Sequence, residues 1–118
     1  MIRNLDVGNK GENVATEYLL QNGYTIIERN WRYKHWEIDI ICSRNKKLHF
    51  VEVKTRTNKK FGNPEESINE SKMNALKKGA EMYLLQNEQW TLIQFDVVAI
   101  TMNKEIIEEI FFIEDVFF

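Results

Sequence analysis

Two neighbouring segments predicted as strands carry charged residues where core strands are normally apolar. The first spans Glu37–Ile41 and places Asp39 between isoleucines; the second spans Leu48–Arg56 and places Glu52 and Lys54 among apolar residues. Burying such groups costs several kcal/mol unless they are paired or bind a metal. The sequence therefore predicts that these charges are used rather than merely tolerated.

The side-chain period of two assigns each residue of these strands to a face. On the first strand, one predicted face carries Glu37, Asp39 and Ile41, and the other carries Ile38, Ile40 and Cys42. On the second, one predicted face carries Leu48, Phe50, Glu52 and Lys54, and the other carries His49, Val51, Val53 and Thr55. The polar turn 43–47 makes the two strands a predicted hairpin. Glu52 and Lys54 are then expected to project together.

Periodicity, caps and turn residues predict seven elements in the order α-β-β-β-α-β-β. They are a helix over Asn9–Asn22 ended by Gly23, strands over Tyr24–Asn30, Trp36–Cys42 and Leu48–Arg56, a helix that starts at Asn63–Pro64 with its core over Ser67–Gln86, and strands over Thr91–Thr101 and Glu105–Ile113. The long helix can cross over to a parallel strand. The sequence thus predicts an α/β fold with a mixed central sheet flanked by helices.

Each predicted helix carries one charged residue beside its apolar stripe. Glu12 precedes Leu19 by seven residues, so it lies on the same face, either at the edge of the buried stripe or turned to solvent. Lys72 falls within the predicted stripe of the long helix, which comprises Ile68, Ala75, Leu76, Gly79, Met82 and Tyr83. A lysine there can extend to the surface or reach the acidic residues.

Aromatic and basic residues alternate over Trp31–Trp36. Arg29, Arg32 and Lys34 could contact phosphates beside aromatic stacking faces. The alternative is a hairpin connection whose aromatics cap the core while its charges stay in solvent. A second cationic segment follows Arg56 and includes Lys59 and Lys60.

Composition narrows the class of protein. The 118 residues indicate a single domain (1–118), and a net charge of −2 means that nucleic-acid binding would need a local basic patch. Cys42 is the only cysteine, so no internal disulfide can form. With no signal-peptide or membrane-spanning pattern, a cytoplasmic protein is expected. The apolar tail 115–118 is expected to pack down or to contribute to a dimer contact.

Asp39 and Glu52 form a pattern with specific chemistry. Two carboxylates from adjacent strands make a hard oxygen site for a divalent cation such as Mg²⁺. The cation can activate water and screen charge on a phosphate, and Lys54 can position that water or stabilise the transition state. This combination fits phosphodiester hydrolysis. The alternative is a structural buried ion pair, such as Glu52 with Lys54.

At these residues the sequence resembles the PD-(D/E)XK nuclease superfamily. It resembles more closely the YraN-like family of that superfamily, which is similar to archaeal Holliday-junction resolvases. The shared landmarks follow the chain: Gly8, Gly11, Glu12, Ala15, Gly23, Tyr24, Arg29, Asn30, Glu37–Asp39, Phe50–Arg56, Lys72 and Phe95–Val98. Gln94 is a departure, because the family usually has arginine at that position. A bare D…ExK pattern is weak, whereas this ordered set is specific.

The resemblance implies a restriction-endonuclease-like core and a metal-dependent deoxyribonuclease. It implies that Asp39, Glu52 and the carbonyl of Val53 bind Mg²⁺ or Mn²⁺, that Lys54 is catalytic, and that Glu12 is an additional acidic site residue. Thr55 and Arg56 would lie at the rim where DNA passes. Related resolvases act as dimers, so a homodimer is also implied. The alternative function is a catalytically weak module on the same fold that binds nucleic acid or recruits a partner.

Overall fold

The protein is a five-stranded sheet with a helix on each face. The structure is a computed structural model that describes residues 4–57 and 69–116, with side chains for 10–57 and 69–116. The elements are α1 (Asn4–Gln21), β1 (Thr25–Tyr33), β2 (Trp36–Arg44), β3 (Lys47–Arg56), α2 (Glu70–Gln86), β4 (Ile93–Asn103) and β5 (Ile106–Ile113). This order confirms the predicted α-β-β-β-α-β-β arrangement. The mixed α/β architecture is that of a restriction-endonuclease-like fold.

The strands lie in the sheet in chain order, β1-β2-β3-β4-β5. Every neighbouring pair is antiparallel except β3 and β4, which run parallel from Leu48↔Ile93 to Arg56↔Thr101. A parallel pair needs a long crossover connection, and α2 lies in that connection. The mixed sheet predicted from the sequence is therefore confirmed.

The sheet separates two hydrophobic cores. The core beneath α1 contains Ala15, Leu19, Tyr24, Ile40, Cys42, Val51, Val98, Ile100 and Met102. The core beneath α2 contains Ile38, Ile41, Leu48, Phe50, Met73, Leu76, Ala80, Tyr83 and Val97. The opposite placement of Val51 and Phe50 confirms the predicted faces of β3, which puts Glu52 and Lys54 on the α2 side.

The predicted faces of β2 are partly wrong, because the strand is kinked at Asp39. Ile38 packs in the α2-side core whereas Ile40 packs in the α1-side core, although strict alternation would place them together. The β1–β2 pairing passes from Arg29↔Ile40 to Trp31↔Ile38 and skips Asp39, opposite which Asn30 has a φ of 54°. The kink leaves Asp39 outside the regular pairing.

α2 begins later than predicted, and its buried stripe is rotated. Asn69 is an extended N-cap residue whose Oδ1 accepts a hydrogen bond from Lys72 N at 3.3 Å, so α2 begins at Glu70. The predicted start at Asn63–Pro64, like Ile68, lies outside the described residues. The buried residues are Met73, Leu76, Gly79, Ala80 and Tyr83, while Ala75 is exposed and Met82 half-buried.

Glycine at position 79 allows α2 to approach β2 closely. A Cβ there would lie 3.3 Å from Ile38 Cγ1, which is tighter than most side-chain contacts. At the end of α1, Gly23 has a φ of 85°, which confirms the predicted C-terminal cap. α1 itself begins at Asn4, five residues earlier than predicted.

β1 and the carboxyl terminus also extend the prediction. β1 continues to Tyr33, so the basic and aromatic segment is the end of β1, a two-residue turn and the start of β2. Val116 packs on the α2-side core, and its backbone N–H donates to Phe95 O at 2.7 Å. The tail therefore packs down as expected up to Val116, and Phe117 and Phe118 lie outside the described residues. Within the described ranges, no helix has the length and apolar character needed to cross a bilayer.

Candidate metal and nucleic-acid site

Asp39 lies where β2 and β3 separate. The β2–β3 pairing ends at Ile40↔Val51, and beyond it the Asp39 carboxylate takes over: Oδ2 accepts a hydrogen bond from Val53 N at 2.8 Å. The other oxygen, Oδ1, accepts no hydrogen bond from the part of the chain that the structure describes. The fork between the strands thus holds a carboxylate that is fixed through one of its two oxygens.

Burial disfavours the ionised forms of Asp39 and Glu52, the two acids of the fork. It raises the pKa of Asp39 to about 6, with the charges of Glu12 and Glu37 adding to the effect and the Val53 hydrogen bond opposing it. Burial likewise raises the pKa of Glu52 to about 7, and the charge of Asp39 adds to the rise. The negative charge of Asp39 therefore disfavours ionisation of Glu52. A divalent cation between them would remove that conflict.

Two lysines border the acids from different elements. Lys54 follows Glu52 on the same face of β3, and Lys72 approaches from the first turn of α2. Burial lowers the pKa of Lys54, and the nearby Lys72 lowers it further. Lys72 also favours the charged forms of Asp39 and Glu52. Lys72 is exposed, as predicted for a lysine that extends to the surface, and its charge acts on both acids from there.

α1 brings Glu12 to the same end of the sheet. Its side chain is only 12% exposed and accepts a hydrogen bond from Arg29 Nε at 3.3 Å, while Arg29 Nη2 donates to Asn13 Oδ1 at 2.7 Å. A Cβ on Gly11 would overlap the hydroxyl of Thr55, so glycine is needed for α1 to approach β3 this closely. Glu12 is thus held beside Asp39, rather than turned to solvent.

The cations predicted to bind nucleic acid are mostly engaged within the protein. Arg29 pairs with Glu12, Arg32 Nη2 lies 3.3 Å from Glu37 Oε2, and Arg56 Nε donates to Thr101 Oγ1 at 3.2 Å. Lys34 Nζ lies 5.6 Å from the centre of the Tyr33 ring. Lys59 and Lys60 lie outside the described residues. Nucleic-acid contact by any of these cations stays a prediction.

A second buried polar cluster was not anticipated from the sequence. His49 Nδ1 lies 2.7 Å from Asp96 Oδ2, and Asp96 Oδ1 accepts from Gln94 Nε2 at 2.8 Å and from Asp115 N at 2.9 Å. Gln94 Oε1 in turn accepts from Lys47 Nζ at 3.2 Å. Gln94, where the resembled family usually has arginine, therefore links Lys47 to Asp96. The available signal was a histidine and an aspartate, each next to apolar residues of a predicted strand.

The donor set of the fork is small. Within residues 10–57 and 69–116, no group of three or more His, Cys, Asp or Glu side chains is arranged to hold a metal ion. Asp39 and Glu52 alone suit Mg²⁺, which is commonly bound through one or two carboxylates and retains several waters. They do not suit zinc, whose sites usually have three or four protein ligands with nitrogen or sulfur atoms.

Sequence comparisons place this fold and site among known proteins. Residues 11–100 match the model described as "Uncharacterised protein family UPF0102". A UPF0102 protein of Clostridium kluyveri is 44% identical over 101 residues, covering 85% of this chain and 83% of the relative. A UPF0102 protein of Syntrophomonas wolfei is 42% identical over 101 residues, covering 85% and 88%. One of Chloroherpeton thalassium is 41% identical over 125 aligned positions, covering 99% and 97%. The chain therefore belongs to the UPF0102 (YraN-like) family, a group related to the PD-(D/E)XK nucleases.

Proposed function

We propose that this protein is a divalent-metal-dependent endonuclease that hydrolyses phosphodiester bonds in DNA, including structured or branched DNA. The observation that carries the proposal is the fork of β2 and β3, where Asp39 and Glu52 are both half-buried and both have raised pKa values. Conflicting buried charges beside a lysine of lowered pKa are typical of active sites. Among the described residues, the cations that act on Asp39 and Glu52 are Lys54 and Lys72. Their charges do not cancel the effect of burial, so the pKa values of both acids stay raised.

A magnesium or manganese ion fits this fork. Asp39 Oδ1, a Glu52 oxygen and the Val53 carbonyl would hold the ion, and the ion would supply water activation and charge screening at the phosphate. The Val53 N–H bond to Asp39 Oδ2 supports this assignment, because it fixes the carboxylate that would bind. Fixed ligands reduce the loss of side-chain freedom on binding.

Lys54 is the residue we assign to the reacting phosphate. Its lowered pKa, caused first by burial and then by Lys72, makes it a better proton donor or acceptor near neutral pH than an ordinary lysine. From the α2 side of β3 its ammonium can hold the attacking water or the phosphate oxygens. Lys72 lowers the pKa of Lys54 further, and Glu12 adds negative charge next to Asp39.

A second candidate function is nucleic-acid binding or partner recruitment without turnover. The hairpin of β1 and β2 favours it, since Arg32, Lys34 and three half-buried aromatic rings lie together there. Such binding would depend on salt but not on a divalent metal or on Asp39.

A homodimer that positions two sites on one junction belongs to the first proposal and is tested by sedimentation with and without DNA.

Cleavage of labelled branched and linear DNA with Mg²⁺ or Mn²⁺ tests the first proposal. We expect Asp39→Asn and Lys54→Met each to lower the cleavage rate at least about 100-fold, within the range usual for loss of a metal ligand or a transition-state contact. Glu108→Gln and Lys78→Met are matched controls, because both residues are exposed and far along the chain from the fork. Equal activity in all five proteins would mean that a contaminant cleaves the DNA.

A further inference from the structure

We propose that the tip of the β1–β2 hairpin is a stacking platform for unpaired nucleobases of a DNA strand next to the metal fork. This inference rests on the proposed function, since it names the kind of DNA that the same site would take. It assigns to Tyr33 and Trp36 a binding role, and thus predicts a preference for DNA with a single-stranded segment.

Three aromatic rings form a ladder at this tip. The Trp31 and Tyr33 rings have centroids 6.4 Å apart and an interplanar angle of 10°, and Tyr33 and Trp36 are 6.5 Å apart at 3°. Trp31 is anchored from α2 by an edge contact with Tyr83 at 5.4 Å and 86°. The ladder is therefore set at its inner end and half-buried at its outer end.

The ladder lies at the same end of the sheet as the acids. Tyr33 pairs with Trp36 across the turn, and Trp36 precedes Asp39 on β2 by three residues, or about 10 Å of extended strand. Three stacked nucleotides of one DNA strand span a similar length, at about 3.4 Å each. A base stacked at the tip would leave the phosphodiester a few nucleotides away within reach of the fork.

The charges at the tip suit a phosphate backbone. Lys34 has a φ of 55° in the turn and extends over the Tyr33 ring, so a cation lies next to the stacking surface. The His35 ring is tilted by 38° against the Trp36 ring, with centroids 4.4 Å apart. The acid of the segment, Glu37, is paired with Arg32. Cations beside aromatic faces are how proteins hold single strands without reading sequence.

Stacking selects unpaired bases because bases inside a duplex already stack on their neighbours. A purely structural role predicts something different. In that role the Tyr33–Trp36 pair holds β1 against β2 and binds no base, because cross-strand aromatic pairs stabilise hairpins by themselves. The two roles separate in binding measurements that compare single-stranded with blunt duplex DNA.

The test is equilibrium binding, without divalent metal, to labelled oligo-dT, to a blunt duplex and to a duplex with a single-stranded tail. We expect Trp36→Leu to weaken binding of oligo-dT and of the tailed duplex about tenfold, within the usual effect of losing one stacked base, and to leave the blunt duplex unchanged. Trp36→Phe should keep most of the affinity because it keeps an aromatic face. Phe111→Leu, an exposed aromatic on the opposite edge strand, is the matched control and should change nothing.

Equal weakening for all three DNAs, or none for oligo-dT, would overturn the inference. If Trp36→Leu does not fold, quenching of tryptophan emission by oligo-dT decides: it must be strong in the wild type and clearly reduced in Trp36→Phe. A uridine oligomer of the same length shows whether RNA serves equally. The binding test uses no metal, so a stacking result would hold even if the protein did not cleave DNA. Conversely, cleavage without stacking would support the nuclease proposal and contradict only this inference.

Discussion

The two polar clusters around β3, one buried and one half-buried, differ in how their charges are balanced. Near the start of the strand, His49 and Asp96 are 4% and 0% exposed, and the Asp96 carboxylate has three hydrogen-bond partners within 2.9 Å. With its proton on Nδ1, the imidazole donates directly to the carboxylate. Nothing further is needed to stabilise this pair in the interior.

Near the end of the strand the balance is different. The Asp39 carboxylate accepts one hydrogen bond, from a backbone N–H, and its charge raises the pKa of Glu52. Of the two neighbouring lysines, Lys72 lowers the pKa of Lys54. The first cluster is complete as it stands, whereas the second is most stable when something else joins it. Complete buried networks hold folds together, and incomplete ones are typical of sites that bind a ligand.

Breaking the complete cluster should cause the largest loss of stability. We expect Asp96→Ala to lower the free energy of unfolding by about 3–5 kcal/mol, because it leaves His49, Gln94 and the Asp115 N–H without their acceptor. Urea unfolding at pH 7 measures this. Glu108→Ala, at an exposed position of β5, should cost much less. A loss below about 1 kcal/mol for Asp96→Ala would show that the cluster contributes little.

Neutralising the incomplete cluster should have the opposite sign. The pKa values of Asp39 and Glu52 rise on folding from 3.8 and 4.5 to about 6 and about 7, so the folded state holds protons that the unfolded state releases. Their favourable contribution is full below about pH 4 and is lost as the pH rises through 6 and 7. We therefore expect Asp39→Asn/Glu52→Gln to match the wild type at pH 4 and to exceed it by at least about 3 kcal/mol at pH 8.

Urea unfolding of both proteins at several pH values checks this window. The doubly substituted protein keeps the amide oxygen of Asn at position 39, which can still accept from Val53 N, so the strand fork is preserved. Glu108→Gln/Glu88→Gln is the matched control, since both residues are exposed. A difference that does not change between pH 4 and pH 8 would show that the two carboxyls are not the cause.

Local sequence patterns predicted much of this arrangement. The faces of β3 follow from its alternation, and that alone places Glu52 beside Lys54. Asp39 was expected beside Glu52 because a short polar turn makes β2 and β3 a hairpin. The kink that directs Asp39 into the fork was not predicted, since Asn30 at a φ of 54° interrupts the period without changing the apolar pattern.

Contacts between distant segments account for the rest of what the sequence did not predict. His49 and Asp96 meet only because the crossover sets the parallel register His49↔Gln94 and Val51↔Asp96. No local pattern fixes that register. The rotation of α2 is similar: Met73 and Ala80 are buried where Ala75 was expected, because Gly79 lets the helix lie directly on Ile38. The same rotation brings Lys72 to Lys54.

Divalent metal should stabilise only the incomplete cluster. At pH 8 we expect 10 mM Mg²⁺ or Mn²⁺ to raise the free energy of unfolding of the wild type by about 1–2 kcal/mol, which corresponds to a Kd roughly tenfold below the metal concentration. Asp39→Asn should abolish the increase, and His49→Gln should keep it. At pH 5.5 the increase should shrink because Asp39 and Glu52 are then largely protonated. NaCl at equal ionic strength is the control, and an equal gain in all variants would contradict a site at the fork.

Glu12 and Arg29 provide the smallest effect and decide to which kind of cluster Glu12 belongs. The pair is 3.3 Å apart, but Arg29 is 36% exposed, so its Coulomb energy is screened by solvent. A double-mutant cycle with Glu12→Gln and Arg29→Gln measures their coupling in urea unfolding at pH 8. We expect a coupling of about 1 kcal/mol, which would mean that Glu12 is balanced by Arg29 much as Asp96 is by His49. A coupling near zero would instead place Glu12 with Asp39 and Glu52, and Glu12→Gln alone should then stabilise the metal-free protein.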